Sequence, residues 1–373
     1  MKKIGVVVGR IDKGAAELLE VDLARNLTKL GYDVCLITMY SSRLFDDKKI
    51  EIKLNNEIHH IIRLNYDLKY KPTLLLKSIF QVKKLKLDCL ISHNRGTDLM
   101  SFIMSIGTST KHIKAFHEYF EKSHVVSFVD KFWAFVVRKA DYTYHITQHS
   151  MIQNSKTFKL DKAKASVVQN VMDMKKVKEK NKIDIRALCK IPNKSKVILT
   201  VARLVPNKGI ELNIEIAAPL LKQDHDLYYV LIGEKSMQDT GYYDSLMRMI
   251  HDYGLEKQVL FIGFQKNIAG LMRTSDVLLH FARHEAFGLV LIESLSAGLP
   301  IVASQVGGIP DVLEKSSFKT FPLDALKKAR DELQKYLYTQ KKENSNFSSN
   351  FDTRTSEQRA KEISLIIENV CSH

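Results

Sequence analysis

The feature that most constrains this chain is a repeating alternation, in which short apolar runs of strand length are followed by longer amphipathic stretches. From the N-terminus come "IGVVVG", "AAELLEVDLARNLTKLGY", "DVCLITM", "HHIIRL", "DCLISH" and "HIKAFHEY", with helical segments between most of the runs. Apolar runs this short and continuous suit strands covered on both faces, and the stretches between them suit crossover helices. The pattern therefore predicts an α/β fold with a parallel, doubly wound sheet. After "ASVVQNVMDM" comes "KKVKEKNKIDI", a charge-dense stretch that reads as a linker. The alternation then restarts with "KVILTVAR", "GIELNIEIAAPLLKQ", "YYVLIGE", "QVLFIGF", "DVLLHFA" and "PIVAS". Two Rossmann-like domains meeting near residues 170–185 follow, and 373 residues exceed what a single hydrophobic core usually serves. The expected boundaries are 1–172 and 173–350, with 351–373 a C-terminal helix returning to the N-terminal domain.

Composition narrows the function classes. The formal charge of +15 points to an anionic partner: nucleotide phosphates, a lipid surface or nucleic acid. The N-terminal apolar run is interrupted at Gly9 and Arg10, too early for the apolar core of a signal peptide. No later run approaches the roughly 18 apolar residues of a membrane span. The expectation is a protein neither exported nor integral to a membrane. Cys35, Cys89, Cys189 and Cys371 lie far apart in sequence, which reads as reduced core cysteines of a cytoplasmic protein.

Open sheets of this kind bind ligands beyond the carboxyl ends of their strands, so two such domains facing one another would form a cleft lined by the residues that follow strands. Four stretches do so: "VVVGRIDKGAAE" with Gly14, "AFHEY" with His117, "TVARLVPNKG" with Arg203 and Lys208, and "LLHFARHEAFGLVLIESL" with Glu285 and Glu293. In the last, a helix starting near Phe287 and Gly288 presents backbone N–H groups of Gly288, Leu289 and Val290 at the positive end of its dipole, which is a phosphate site. At 1.5 Å per residue, Glu293 lies about 7.5 Å further along the axis, a distance that suits the hydroxyls of a ribose rather than a phosphate. Glu285 sits in the loop before the helix, on the side where a group carried by the distal phosphate would lie.

Glu285 and Glu293, with seven residues between them and "AFG" after the first, resemble the E-x7-E motif of retaining GT-B glycosyltransferases of family 4, the glycosyl transferases group 1. "VARLVPNKGIELNIEIA" is similar to that family's R-x4-KG turn, "VVQNVMD" to its interdomain segment, "ASQVGGIPDVL" to its GGxxE loop, and "DKGAAELLEVDLARNLTKLGYDVCLIT" to its N-terminal glycine loop and helix. The resemblance covers most of the chain. It implies a GT-B fold, two Rossmann-like domains facing each other across a cleft, and a nucleoside-diphosphate sugar as donor. It further implies Arg203, Lys208, Gly14, Gly288 and Leu289 at the donor diphosphate; Phe287, Glu285 and Glu293 at the donor sugar and ribose; and Glu285 and His117 at the reaction centre. No metal or other cofactor is expected. The chain departs from the family pattern at "DKGAAE", which has one glycine where two are common, at Val171 in place of the interdomain glycine, and at Asp311 in place of a glutamate.

Each assignment has a plainer competitor. The two glutamates could be a helix N-terminal acid and a solvated helix residue, Arg203 and Lys208 surface charges, His117 a structural strand-end histidine, and Gly14 a turn glycine. The acceptor is implied to bind the N-terminal domain as a saccharide or lipid-linked molecule, and the alternative is a small soluble acceptor. That domain mixes basic and apolar residues in "KSIFQVKKLKLD" and "EKSHVVSFVDKFWAFVVRKADY". One reading is an anionic membrane surface met from the cytoplasmic side; the other is an ordinary helix whose Phe128, Phe132, Trp133 and Phe135 face the core. A dinucleotide-dependent oxidoreductase is the alternative enzyme class, but no G-x-G-x-x-G follows either domain's first strand. Nucleic acid is not an expected partner, because the basic residues are spread through helices rather than gathered with interleaved aromatics.

Overall fold

A computed structural model describes residues 1–9, 15–40, 54, 56–64, 72–171, 183–235, 240–339 and 355–372. The chain divides into two compact units, Met1–Val171 with Arg354–His373, and Met172–Thr353. Residues 172–182 of the expected linker lie outside the described residues.

The first unit is built on seven parallel strands: β1 Lys3–Val8, β2 Asp33–Thr38, β3 His60–Arg63, β4 Cys89–Ser92, β5 Lys111–Phe116, β6 Tyr142–His145 and β7 Ala165–Val167. They pair in the order β3-β2-β1-β4-β5-β6-β7. Helices α1 (Ala15–Lys29), α2 (Arg95–Ser105) and α3 (Phe128–Arg138) are the crossovers that matter below. The strands are apolar without interruption where helices cover both faces: β1 and β2 are each buried at five of six positions. On β5 the faces differ. Ile113 and Ala115 join a core with Val21, Ala24 and Leu27 of α1, whereas His112 and Lys114 are also buried and need polar partners on the opposite face.

The second unit repeats the plan with β8 Lys196–Val201, β9 Leu227–Ile232, β10 Val259–Phe261, β11 Val277–His280, β12 Ile301–Ser304 and β13 Thr320–Phe321, paired in parallel as β10-β9-β8-β11-β12-β13. Helix α4 (Ile210–Gln223) follows β8 and helix α5 (Leu289–Ala297) follows β11. Each sheet reverses its winding direction between its first and fourth strands, which is the arrangement that leaves a crevice at the carboxyl ends of those two strands. The last helix, α6 (Ser356–Cys371), belongs to the first unit, where Ala360, Ile363 and Ile367 are fully buried in the core that α1 shares with the sheet. All four cysteines are free; Cys35 and Cys89 are buried, whereas Cys189 and Cys371 are only partly so.

Candidate active site

In the second unit the segments leaving β8 and β11 are fastened to each other. After β8 the chain stays extended beside the exit of β9, with the amide of Ala202 donating to the Ile232 carbonyl at 2.9 Å and that of Leu204 to the Glu234 carbonyl at 3.0 Å. Arg203, between these two bonds, has an exposed side chain. A turn at Pro206–Lys208 then leads to Gly209 at φ 57°, where an added Cβ would stand 2.4 Å from the carbonyl oxygen of Phe281. Only glycine permits that close approach of the α4 N-cap to the backbone leaving β11. The amides of Arg283 and His284 both donate to the Asn207 carbonyl at 3.0 Å, and Asn213 on α4 accepts from the amide of Phe281 at 2.9 Å.

This fastening delivers Glu285 to a defined place. Its Oε2 accepts from Lys208 Nζ at 2.7 Å and lies 3.2 Å from His280 Nε2, and its backbone carbonyl accepts from the amide of Gly308 at 2.9 Å. Burial alone would raise the carboxyl pKa, but the hydrogen bond from His280 and the charge of Lys208 hold it well below the usual carboxylate range. Glu285 is therefore an ionised carboxylate at neutral pH although its side chain is only 12% exposed. Three residues on, Gly288 at φ 87° caps α5. Past that cap the first amides of α5 point away from the helix, with its dipole favouring an anion there. Phe287 is buried, so its side chain packs inward and only its backbone borders the helix start. Glu293 is half-buried within α5. Lys208 and Glu285 are thus brought together at the switch point of one sheet, with Arg203 on the segment leaving β8 and Gly288 capping α5 three residues after Glu285. The structure also pairs Lys208 with Glu285 directly, which the spacing did not anticipate.

In the first unit His117 follows β5 and is 6% exposed at its side chain. Its Nε2 lies 3.0 Å from Oε1 of Glu20 on α1, and Arg359 Nη2 on α6 donates to that same oxygen at 2.8 Å. Burial pushes the His117 pKa down, against the opposing pull of Glu20. The His93 ring meets that of His117 edge-on at 5.9 Å between centroids. Beside them lies a cavity of ≈ 360 Å³ whose lining includes His93, Asn94, Lys114, His117, Phe120 and Trp133. Beneath it the fully buried carboxylate of Asp98 is satisfied from three sides: Ser92 Oγ at 2.6 Å, Trp133 Nε1 at 2.8 Å and Lys114 Nζ at 3.0 Å. Gly14 lies outside the described residues.

Sequence reasoning missed His280, Glu20 and Arg359. His280 carried a usable signal, since it ends a strand five residues before Glu285 in "LLHFARHE". Nothing near Arg359 in sequence signals a partner at position 20.

Residues 181–349 match the family model described as glycosyl transferases group 1. An uncharacterized glycosyltransferase of Haemophilus influenzae is 27% identical over 81% of this chain and 80% of its own length. The N-acetyl-alpha-D-glucosaminyl L-malate synthase of Bacillus anthracis is 25% identical, over only 44% of this chain and 42% of its own length. Among solved structures, Anabaena HepE in complex with UDP-glucose superposes with a TM-score of 0.73 at 18% identity, over 100% of this chain and 99% of its own. WaaG, a glycosyltransferase involved in lipopolysaccharide biosynthesis, superposes with a TM-score of 0.71 at 16% identity, covering 98% of this chain and 99% of its own. At those identities the structural likenesses speak to fold alone.

Proposed function

Taking as premise that the chain is a group 1 glycosyltransferase with the GT-B fold, we propose that it transfers a sugar, with retention of configuration and without a metal ion, from a nucleoside-diphosphate donor to a saccharide or lipid-linked acceptor of a bacterial surface polysaccharide or lipopolysaccharide. The observation that carries this reading is the ionised carboxylate of Glu285, held between Lys208 and His280 next to the capped start of α5. Breaking the bond between the anomeric carbon and the leaving oxygen sends the electron pair to the diphosphate and leaves positive charge on the sugar. Arg203, Lys208 and the amides of Gly288 and Leu289 stabilise the growing anion, and Glu285 stabilises the sugar cation. Glu293 holds the ribose hydroxyls, and the Phe287 amide borders the donor sugar. His117 contributes a sugar contact, its ring fixed by Glu20. An acceptor presented at an anionic membrane accounts for the basic first unit. The name of the malate-glycosylating relative favours the second reading, a small soluble acceptor.

The test separates the two acids. Glu293→Gln is expected to weaken binding of the free nucleoside diphosphate roughly tenfold or more, because a ribose contact exists in ground and transition states alike. Glu285→Gln is expected to leave that affinity nearly unchanged and to lower turnover about 10²-fold or more. Isothermal titration with UDP, GDP, dTDP and ADP, paired with initial rates, reads both. Lost affinity in Glu285→Gln with none lost in Glu293→Gln would reverse the roles.

A further inference from the structure

Helix α3 is apolar on two opposite sides. Trp133, Ala134, Val136 and Val137 are buried against the first unit, yet Phe128 is 84% exposed, Val129 66%, Phe132 44% and Phe135 40%, with Val126 just before the helix at 71%. Of the four aromatics that an inward-facing helix would bury, the structure buries only Trp133; the other three form an outward stripe at i, i+4 and i+7. The stripe is ordered by its own contacts. The rings of Phe132 and Phe135 stack at 6.4 Å, and Phe135 meets Phe102 of α2 edge-on at 6.0 Å. One turn past Phe102, Ile106 adds another apolar side chain, 53% exposed.

The border of this stripe is basic. Lys122, Lys131, Arg138 and Lys139 are all exposed, and Lys139 Nζ reaches over the Phe135 ring at 5.6 Å. Between residues 122 and 139 the one acid is Asp130. Its carboxylate closes the helix N-cap, accepting from Ser127 Oγ at 2.6 Å and from Arg95 at 2.5 Å, so its charge is already matched. An apolar stripe flanked by cations that form no ion pair among the described residues is complementary to a surface with an apolar interior and an anionic skin. A protein partner would need an apolar groove ringed with acids, and a second copy of this chain would bring like charges together. Among the described residues no helix is long and apolar enough to cross a membrane.

We propose that the outward face of α3, formed by Val126, Phe128, Val129, Phe132 and Phe135 and bordered by Lys122, Lys131, Arg138 and Lys139, inserts into the headgroup layer of an anionic lipid bilayer. The inference rests on the membrane-presented acceptor proposed above and names the face that meets the membrane. It also fixes a mode of binding: aromatic insertion with electrostatic attraction, so that salt weakens attachment without abolishing it.

Co-sedimentation of the full chain with phosphatidylcholine vesicles, with and without roughly one third phosphatidylglycerol, tests it. Binding is expected to be strong only with the anionic lipid and reduced at about 0.5 M salt. Phe128→Ser with Phe132→Ser should lower the partition coefficient roughly tenfold or more, as should Lys131→Glu with Arg138→Glu. Both pairs should keep wild-type thermal stability and wild-type affinity for nucleoside diphosphates, which shows that the fold and the donor reading are intact. Two results would overturn the proposal. One is no binding to anionic vesicles at low salt. The other is a dimer in sedimentation velocity that Phe128→Ser and Phe132→Ser dissolve while lipid binding stays unchanged, which would make the face a contact between copies. Loss of nucleotide binding in Glu293→Gln with vesicle binding unaffected keeps the two readings separable.

Discussion

Replacing Arg359 with Met probes whether the C-terminal helix fixes His117, which we propose contacts the sugar. Arg359 and Glu20 are 2% and 1% exposed at their side chains, and the guanidinium also donates to the Leu19 carbonyl at 3.2 Å. Removing one partner of a buried pair leaves an uncompensated charge, at a cost of about 3–5 kcal/mol. For a folding unit of this size each kcal/mol corresponds to about 2–4 °C, so the melting transition of the first unit should fall by roughly 6–20 °C. Glu20 would then be left with His117 Nε2, 3.0 Å from its Oε1, as an ionisable partner. Arg359 is one of the charges holding the His117 pKa down, so His117 should protonate more readily in the variant. Calorimetry of the full chain reads the first effect, and an NMR titration of the His117 ring protons reads the second. Glu20→Gln should behave similarly in stability, and the double variant should be more stable than the summed single losses by about 0.5–3 kcal/mol. Single variants that each cost under about 1 kcal/mol and add in the double would refute the reasoning, because the pair would then be acting like a solvent-screened one.

Acid should destabilise the first unit before its carboxylates titrate. Burial pushes His112 down to about 4 and His145 to about 3, against about 6.5 in an unfolded chain. Their folded values are depressed, so their contribution is complete above about pH 6.5 and is lost as pH falls, by about 1.4 kcal/mol per pH unit for each ring. Urea unfolding at pH 7.5 and 5.5 measures this, and equal midpoints would contradict it. Turnover should survive excess EDTA, since Arg203, Lys208 and helix-terminal amides supply the positive charge; a strict need for Mg²⁺ or Mn²⁺ in the chemical step would count against that assignment of the leaving-group site.

What could be read from the sequence followed from how far apart the interacting residues lie. The sheet order rests on local alternation, and ten of the thirteen strands among the described residues announce themselves within windows of about ten residues. Three strands escaped, of which β7 is only three residues long. β6, "YTYH", is buried yet spelled in polar letters, because its groups find partners within the fold: Tyr144 hydroxyl to Glu20 at 3.3 Å and Thr143 Oγ1 to His145 at 3.2 Å. β13 is two residues long, too short for any period to register. The residues proposed to hold the donor were legible as candidates because residues 203, 208 and 285–293 all follow strand ends of one sheet. The Arg359–Glu20–His117 contact was not, for it joins three elements 97 to 339 residues apart and is fixed by α6 returning to the first unit. Helix α3 shows the limit most sharply. Apolar residues occur all around it, so periodicity cannot say which side is core. Its neighbours decide: the indole N–H of Trp133 is claimed by buried Asp98 at 2.8 Å, which turns Trp133 inward and the stripe of Phe128, Phe132 and Phe135 out. The hydrogen bond that satisfies a buried carboxylate is thus also what presents three phenylalanines to solvent, and Trp133→Phe, which keeps an aromatic side chain but removes the donor, probes that coupling.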